Sequence, residues 1–146
     1  MRRTILLLAG VLLCVVALGS DSPKEYDDRT VYCGIEGTWQ LAKVELGGRN
    51  EEPACQSVMS FHAGTWELKE SDGGWYKGTY CTDSTQNPPH LDLIVTESTI
   101  PVGFPKYIYQ VDCNTLRIAH NLFGGDRLKS FTGNHVIVKT YTRLKK

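Results

Sequence analysis

Gly37-Thr38-Trp39-Gln40-Leu41 opens the first of about eight short runs in which apolar and polar residues alternate. A period of two is the mark of a strand with one face in a core and one in water. The runs span residues 36–46, 57–62, 65–70, 75–82, 90–96, 107–112, 115–121 and 135–143. Turn chemistry separates nearly all of them: Gly47-Gly48-Arg49-Asn50, His62-Ala63-Gly64, Ser71-Asp72-Gly73-Gly74, Asn87-Pro88-Pro89 and Asp112-Cys113-Asn114. A Gly-x-Trp at the head of such a meander suggests a small closed barrel whose Trp plugs one end.

The alternation also assigns faces. Leu91, Leu93 and Val95 oppose Asp92, Ile94 and Thr96, and Tyr76, Gly78 and Tyr80 oppose Lys77 and Thr79. Trp66 with Leu68, Tyr109 with Val111, and Leu116 with Ile118 fall inward by the same count. In the first run the period slips between Trp39-Leu41 and Val44-Leu46, which predicts a bulge near Ala42-Lys43. No window shows a helical stripe, although residues 49–56 leave room for a short helix. Eight antiparallel strands with one apolar face close into an up-and-down barrel, which removes unpaired edges. A two-sheet sandwich is the competing architecture. It needs Greek-key crossovers, and the short connections favour the meander.

Residues 1–19 read as a signal peptide: Arg2 and Arg3, then an apolar stretch from Ile5 to Leu18, then small residues ending at Gly19. That stretch falls short of the roughly 20 residues a membrane-spanning helix needs, so no transmembrane anchor is expected after cleavage. The expected location is periplasmic or extracellular. Residues 20–34 are polar and turn-rich and read as a linker, leaving 35–146 as a single barrel domain. Without the first 19 residues, 14 Lys and Arg face 16 Asp and Glu, so no basic field exists to hold nucleic acid. The exported portion keeps four cysteines, an even count that fits disulfides. Strand direction places Cys33, Cys81 and Cys113 near the Trp39 end and Cys55 at the opposite rim, so a bond between two of the first three is expected, with the flexible segment of Cys33 the best placed. The spacings match no metal pattern, and neither a metal nor a cofactor is expected.

The pairing of Gly37-Thr38-Trp39 with Arg143 in the last strand resembles that of the lipocalin superfamily, where the Trp closes the barrel base and the Arg stacks across it. A fuller likeness covers Glu36 to Leu144. Gly37-Thr38-Trp39-Gln40-Leu41, Gly78-Thr79-Tyr80, Asn87-Pro88 with Leu91-Asp92-Leu93, Ile108-Tyr109-Gln110-Val111-Asp112, Asn114-Thr115-Leu116-Arg117-Ile118 and Gly124-Gly125-Asp126-Arg127 with Phe131 resemble a lipocalin-like domain of unknown function found in exported planctomycete proteins. The chain departs from that pattern at Ala119-His120 and at Leu128. The resemblance implies a lipocalin-like barrel and no defined reaction.

Candidate site residues follow from the barrel. Met59, Phe61, Trp66, Tyr76, Tyr80 and Tyr109 line its interior, as a pocket for a small apolar ligand or simply as core. Longer connections at 47–56, 71–74, 97–106 and 122–134 form the more open rim, with Val102 and Phe104 as an apolar lid and Arg127 placed to meet an anionic group. Asp92 points outward, with Arg117 as a possible partner. Gly124-Gly125 lacks the strand-loop-helix context of a nucleotide phosphate site. His62, His90, His120 and His135 divide between the two ends and assemble no catalytic set with a nucleophile. The expected function is binding of a small hydrophobic or amphipathic molecule without catalysis. A non-catalytic interaction module of the cell envelope is the alternative, and a small barrel hydrolase or isomerase comes third.

Overall fold

A computed structural model describes residues 34–100 and 103–145. The signal peptide, the linker up to Cys33, and Val102 lie outside the described residues. Among those described, the chain is all-β, with β1 (Gly37–Leu46), β2 (Arg49–Glu51), β3 (Ser57–His62), β4 (Thr65–Glu70), β5 (Trp75–Asp83), β6 (His90–Ser98), β7 (Tyr107–Val111), β8 (Thr115–Asn121) and β9 (Val136–Arg143). Strands β1 and β3 to β9 pair antiparallel in chain order, and β1 pairs with β9. The result is a closed eight-stranded up-and-down barrel. The short β2 folds back on the end of β1 outside the ring, through Val44↔Glu51, Glu45↔Asn50 and Leu46↔Arg49. It stands where the sequence left room for a helix, because Gly47 and Gly48, both at positive φ, turn the chain back on itself. No helix of the described residues is long and apolar enough to cross a membrane.

Two irregularities bend the ring. The β1–β9 register shifts between Leu41 and Lys43, so exposed Ala42 is the extra residue and the first strand changes direction as its sequence period predicted. A second shift sits opposite Gly78, where Lys77 pairs with Glu97 but Gly78 pairs with Val95. There β6 passes so close that a Cβ on Gly78 would lie 1.7 Å from the Ile94 carbonyl oxygen. Only glycine fits. The room it leaves is shared with Trp66, its partner on β4, whose indole N–H points to the same carbonyl at 3.4 Å.

The inward residues form one core running from Ile35, Trp39 and Leu41 through Phe61, Trp66, Leu91, Leu116 and Ile118 to Tyr141. Trp39 is 0% exposed and donates its indole N–H to the Ile35 carbonyl at 2.8 Å. The guanidinium of Arg143 lies 4.0 Å from the Trp39 ring centroid. It also donates to the carbonyls of Cys113 (2.7 Å), Glu36 (2.6 Å) and Gly34 (2.7 Å). Gly37 is what lets the guanidinium in, because its φ is +129° and a Cβ there would stand 2.5 Å from Arg143 Nη1.

A second cluster lies outside the ring. Ile108, Ala119, Val136 and Val138 point outward from β7, β8 and β9 and are buried against Leu128 and Phe131. The connection between β8 and β9 is therefore a strap laid along the barrel wall as well as a rim loop. Arg117 pins it from below, its guanidinium 5.0 Å from the Phe131 ring centroid.

The plug makes a quantitative expectation. Trp39→Ala should cost about 3 to 5 kcal/mol, as truncations of large core aromatics do, read as a lower midpoint in urea denaturation. Gly37→Ala should also lower the midpoint, because it combines a strained φ with displacement of Arg143.

Candidate functional site

The barrel has unlike ends. At the Trp39 end the connections are tight, and Tyr80 packs edge-on against Phe61 at 5.0 Å and donates its hydroxyl to Glu36. Burial and that carboxylate push the Tyr80 pKa up to about 12, so the hydroxyl holds its proton and acts as a fixed donor. The opposite end is the mouth, bounded by the β1–β3 connection, the β4–β5 turn, the β6–β7 loop and the start of the strap.

Polar side chains gather on the inner wall near the mouth. Glu70 is in register with buried Ser57, Lys139 with Ile118, and His120 with Ile137, and residues in register share a face. Tyr76, Tyr107 and Tyr141 complete the wall, all buried. Burial drives the pKa of Tyr107 and of Tyr141 well above the ordinary tyrosine range, so both are neutral donors. The Tyr141 hydroxyl has no hydrogen-bond partner; Ser57 is near enough to lower its pKa but not in bonding geometry. His120 stands edge-on to Tyr107 at 5.3 Å, with Nδ1 3.0 Å from the Asn121 carbonyl oxygen. Desolvation holds its pKa below 6.5, favouring the neutral ring.

Phe104 reaches back from the β6–β7 loop into this wall. Its ring meets Trp66 at 4.9 Å and Tyr76 at 5.4 Å, both edge-on. Outside it, a groove of about 500 Å³ runs between Phe104-Pro105-Lys106 and Leu122, Gly124 and Gly125, with His120 and Asn121 among its lining. Leu122 in its lining is 41% exposed, and Phe123, next in the chain and 75% exposed, lies 5.0 Å from the His135 ring.

Of the residues singled out from the sequence, the inward-facing aromatics take their expected faces as core, and others take unexpected places. Met59, Phe61, Trp66, Tyr76 and Tyr109 are all buried within the continuous core, and Tyr80 seals the plugged end. Arg127 does not face the rim. Its guanidinium donates to the carbonyls of Leu91 and Tyr107 and pairs with Asp92. That is the seam where β6 and β7 share only His90↔Ile108 and Leu91↔Tyr107. Arg127, not Arg117, is thus the partner of Asp92, because the strap carries it back down the wall. Cys81 is exposed, in register with outward-facing Asp92, and is a free thiol, as is Cys55. Bonds using either are not made, since Cys81 points away from the plug and Cys55 stands at the mouth.

Three site features escaped the sequence reading. Glu70 continues the inward count of Trp66 and Leu68 by two, and that extension was the available signal. Lys139 was hidden because the strap makes both faces of β9 apolar. The approach of Cys55 to Glu70 and Asp72 depends on register and has no signature in spacing.

Arg127→Ala should cost about 1 to 3 kcal/mol, because it leaves two buried carbonyls and a carboxylate without their donor; thermal denaturation would read it. The His120 shift carries its own sign. Its folded pKa lies below 6.5, so the unfolded chain binds the proton more readily, and stability is full above about pH 6.5 and lost as pH falls through the folded value. His120→Asn should flatten the decline in denaturation midpoint between about pH 7 and pH 5. Comparison of the chain with protein-family models, with curated proteins and with solved structures found no match.

Proposed function

We propose that this chain is a non-catalytic binding protein that takes a small amphipathic molecule at its mouth, the apolar part in the groove beside Phe104 and the polar part toward Lys106 and His120. The observation that carries the reading is the asymmetry of the two ends. One is plugged by Trp39 and Arg143, whereas the other carries a groove lined by Phe104, Lys106, His120 and exposed Leu122. Ligand sites of this size are mostly apolar with a few converging polar groups. Binding is favoured over catalysis because no His hydrogen-bonds a nucleophile among the described residues. The alternative of an interaction module draws support from the filled interior and from Phe123, which offers a ring to a protein partner.

The same reading takes the protein to be exported after loss of residues 1–19, lipocalin-like in kind, and bridged by a disulfide between Cys33 and Cys113. The disulfide is supported by Arg143, which holds the carbonyls of Gly34 and Cys113 on one guanidinium, and by the free thiols of Cys55 and Cys81.

Fluorescence titration tests the ligand. In a Trp75→Phe variant, Trp66 beside Phe104 should be quenched saturably by a member of a panel of fatty acids, isoprenoids and aromatic acids. Phe104→Ser and Leu122→Ser should each weaken that binding by about tenfold, the worth of roughly 1.4 kcal/mol of lost apolar contact. If the whole panel leaves fluorescence and melting temperature unchanged, the interaction module replaces this reading.

A further inference from the structure

At the lip of the mouth, Cys55, Glu70 and Asp72 bring a thiol sulfur and two carboxylate oxygens within 4.8 Å of one another. The three come from different segments: the approach to β3, the end of β4 and the β4–β5 turn. Their meeting is built by backbone. Ser57 pairs with Glu70, the amide of Ser71 donates to the Gln56 carbonyl at 2.8 Å, and the Gln56 amide donates to Ser71 Oγ at 3.1 Å. Asp72 is oriented by the Gly74 amide, which donates to its Oδ1 at 2.9 Å. The cluster is thus carried on a tied pair of segments.

An independent feature points at the same place from within. Tyr141 is 0% exposed, faces inward in register with Leu41 and Leu116, and its hydroxyl has no partner. A buried orphan hydroxyl is rare in a native core. This one lies beside Ser57, the strand partner of Glu70, and near enough to Glu70 and Cys55 that a charge on either raises its pKa. Burial first, and then the nearby Glu70, Asp72 and Cys55, raise the Tyr76 pKa as well.

We propose that Cys55, Glu70 and Asp72 hold a divalent transition-metal ion, zinc(II) being the best fit, with a water in the fourth position toward the mouth and the Tyr141 hydroxyl as its inner hydrogen-bond partner. The donor set decides the metal class. A thiolate is a poor ligand for magnesium or calcium, while one sulfur with two carboxylates suits a borderline ion that accepts four ligands. Binding exchanges the Cys55 thiol proton for the ion: the S–H bond breaks, the sulfur–metal bond forms, and the proton leaves to solvent. Three anionic ligands around a dication leave one negative charge in excess, and Lys139, whose charge acts on Cys55, offsets it. The site stands apart from the amphipathic ligand proposed above and rests on different residues.

Cobalt(II) is the probe, added to the exported chain with its disulfide intact and Cys55 a free thiol. One equivalent should bind with a sulfur-to-cobalt charge-transfer band in the near ultraviolet, and zinc(II) should displace it. Cys55→Ser should abolish the band, Cys81→Ser should keep it, and Glu70→Gln and Asp72→Asn should each weaken binding by about tenfold or more. Melting temperatures in chelator identify any variant that fails to fold. Asp72 sits in an exposed turn, so Asp72→Asn keeps the test decisive if a change at Cys55 or Glu70 impairs folding. Absence of the band in excess cobalt, or its survival in Cys55→Ser, overturns the proposal.

Discussion

The guanidinium of Arg143 is the point on which the barrel closes. A planar cation with donors along its edge stacks on an aromatic face while its edge serves carbonyls, which a lysine ammonium does not do. Here the face covers Trp39 and the edge gathers the carbonyls of Gly34, Glu36 and Cys113. The contact with the ring contributes on the order of 0.5 to 2 kcal/mol, more as the site dries. Its larger effect is geometric: it ties the segment before β1, the β7–β8 turn and the end of β9 into one cap. Gly37 follows from that crowding. The Gly-x-Trp motif is thus one steric requirement and one aromatic requirement set two residues apart.

A barrel sealed at one end can place polar groups at the other. Apolar residues fill the ring from the plug to about the level of Leu41 and Leu116, and beyond it Ser57, Glu70, Tyr76, Tyr107, His120, Lys139 and Tyr141 share the inner wall with Val44 and Ile137. Tyrosines mediate between the two zones because one end of the side chain is apolar and the other polar. The strap compensates on the outside. By burying Ile108, Ala119, Val136 and Val138 it adds a second apolar layer to β7, β8 and β9, and it delivers Arg127 to the one seam where backbone pairing is thin.

Much of this was legible in the sequence, and the reasons differ by element. Period-two patterning located all eight ring strands to within a residue or two, because each has one wet face and one dry one. The Ala42 bulge was visible as a slip in that period. The Trp39–Arg143 stack was legible from its ends alone, since a closed meander brings the first strand against the last. What patterning could not reach depends on contacts across long separations. Arg127 reads as a rim residue until the strap is seen to turn back, and Asp92 then pairs with Arg127, whereas the outward faces alone had offered Arg117. Residues 49–56 lack any period, so the Gly47-Gly48 turn was legible but the short strand β2 that follows it was not. Cys55 is distant in sequence from Glu70 and Asp72, and only the Ser57–Glu70 register and the Gln56–Ser71 hydrogen bonds unite them.

The separation between Glu36 and Arg143 along the chain is 107 residues, yet their atoms lie 2.6 Å apart. Every other ring pairing joins consecutive strands, so the meander grows by short loops whose closure costs little conformational freedom each. Joining β1 to β9 is different in kind. It must draw together the ends of the whole domain, and it is rewarded only once the intervening strands have curled enough to present both edges. High mean sequence separation of contacts slows folding among small domains. The rate at which this protein reaches its native state is therefore governed by ring closure, and before closure the edges of β1 and β9 stand open as templates for strands of other chains.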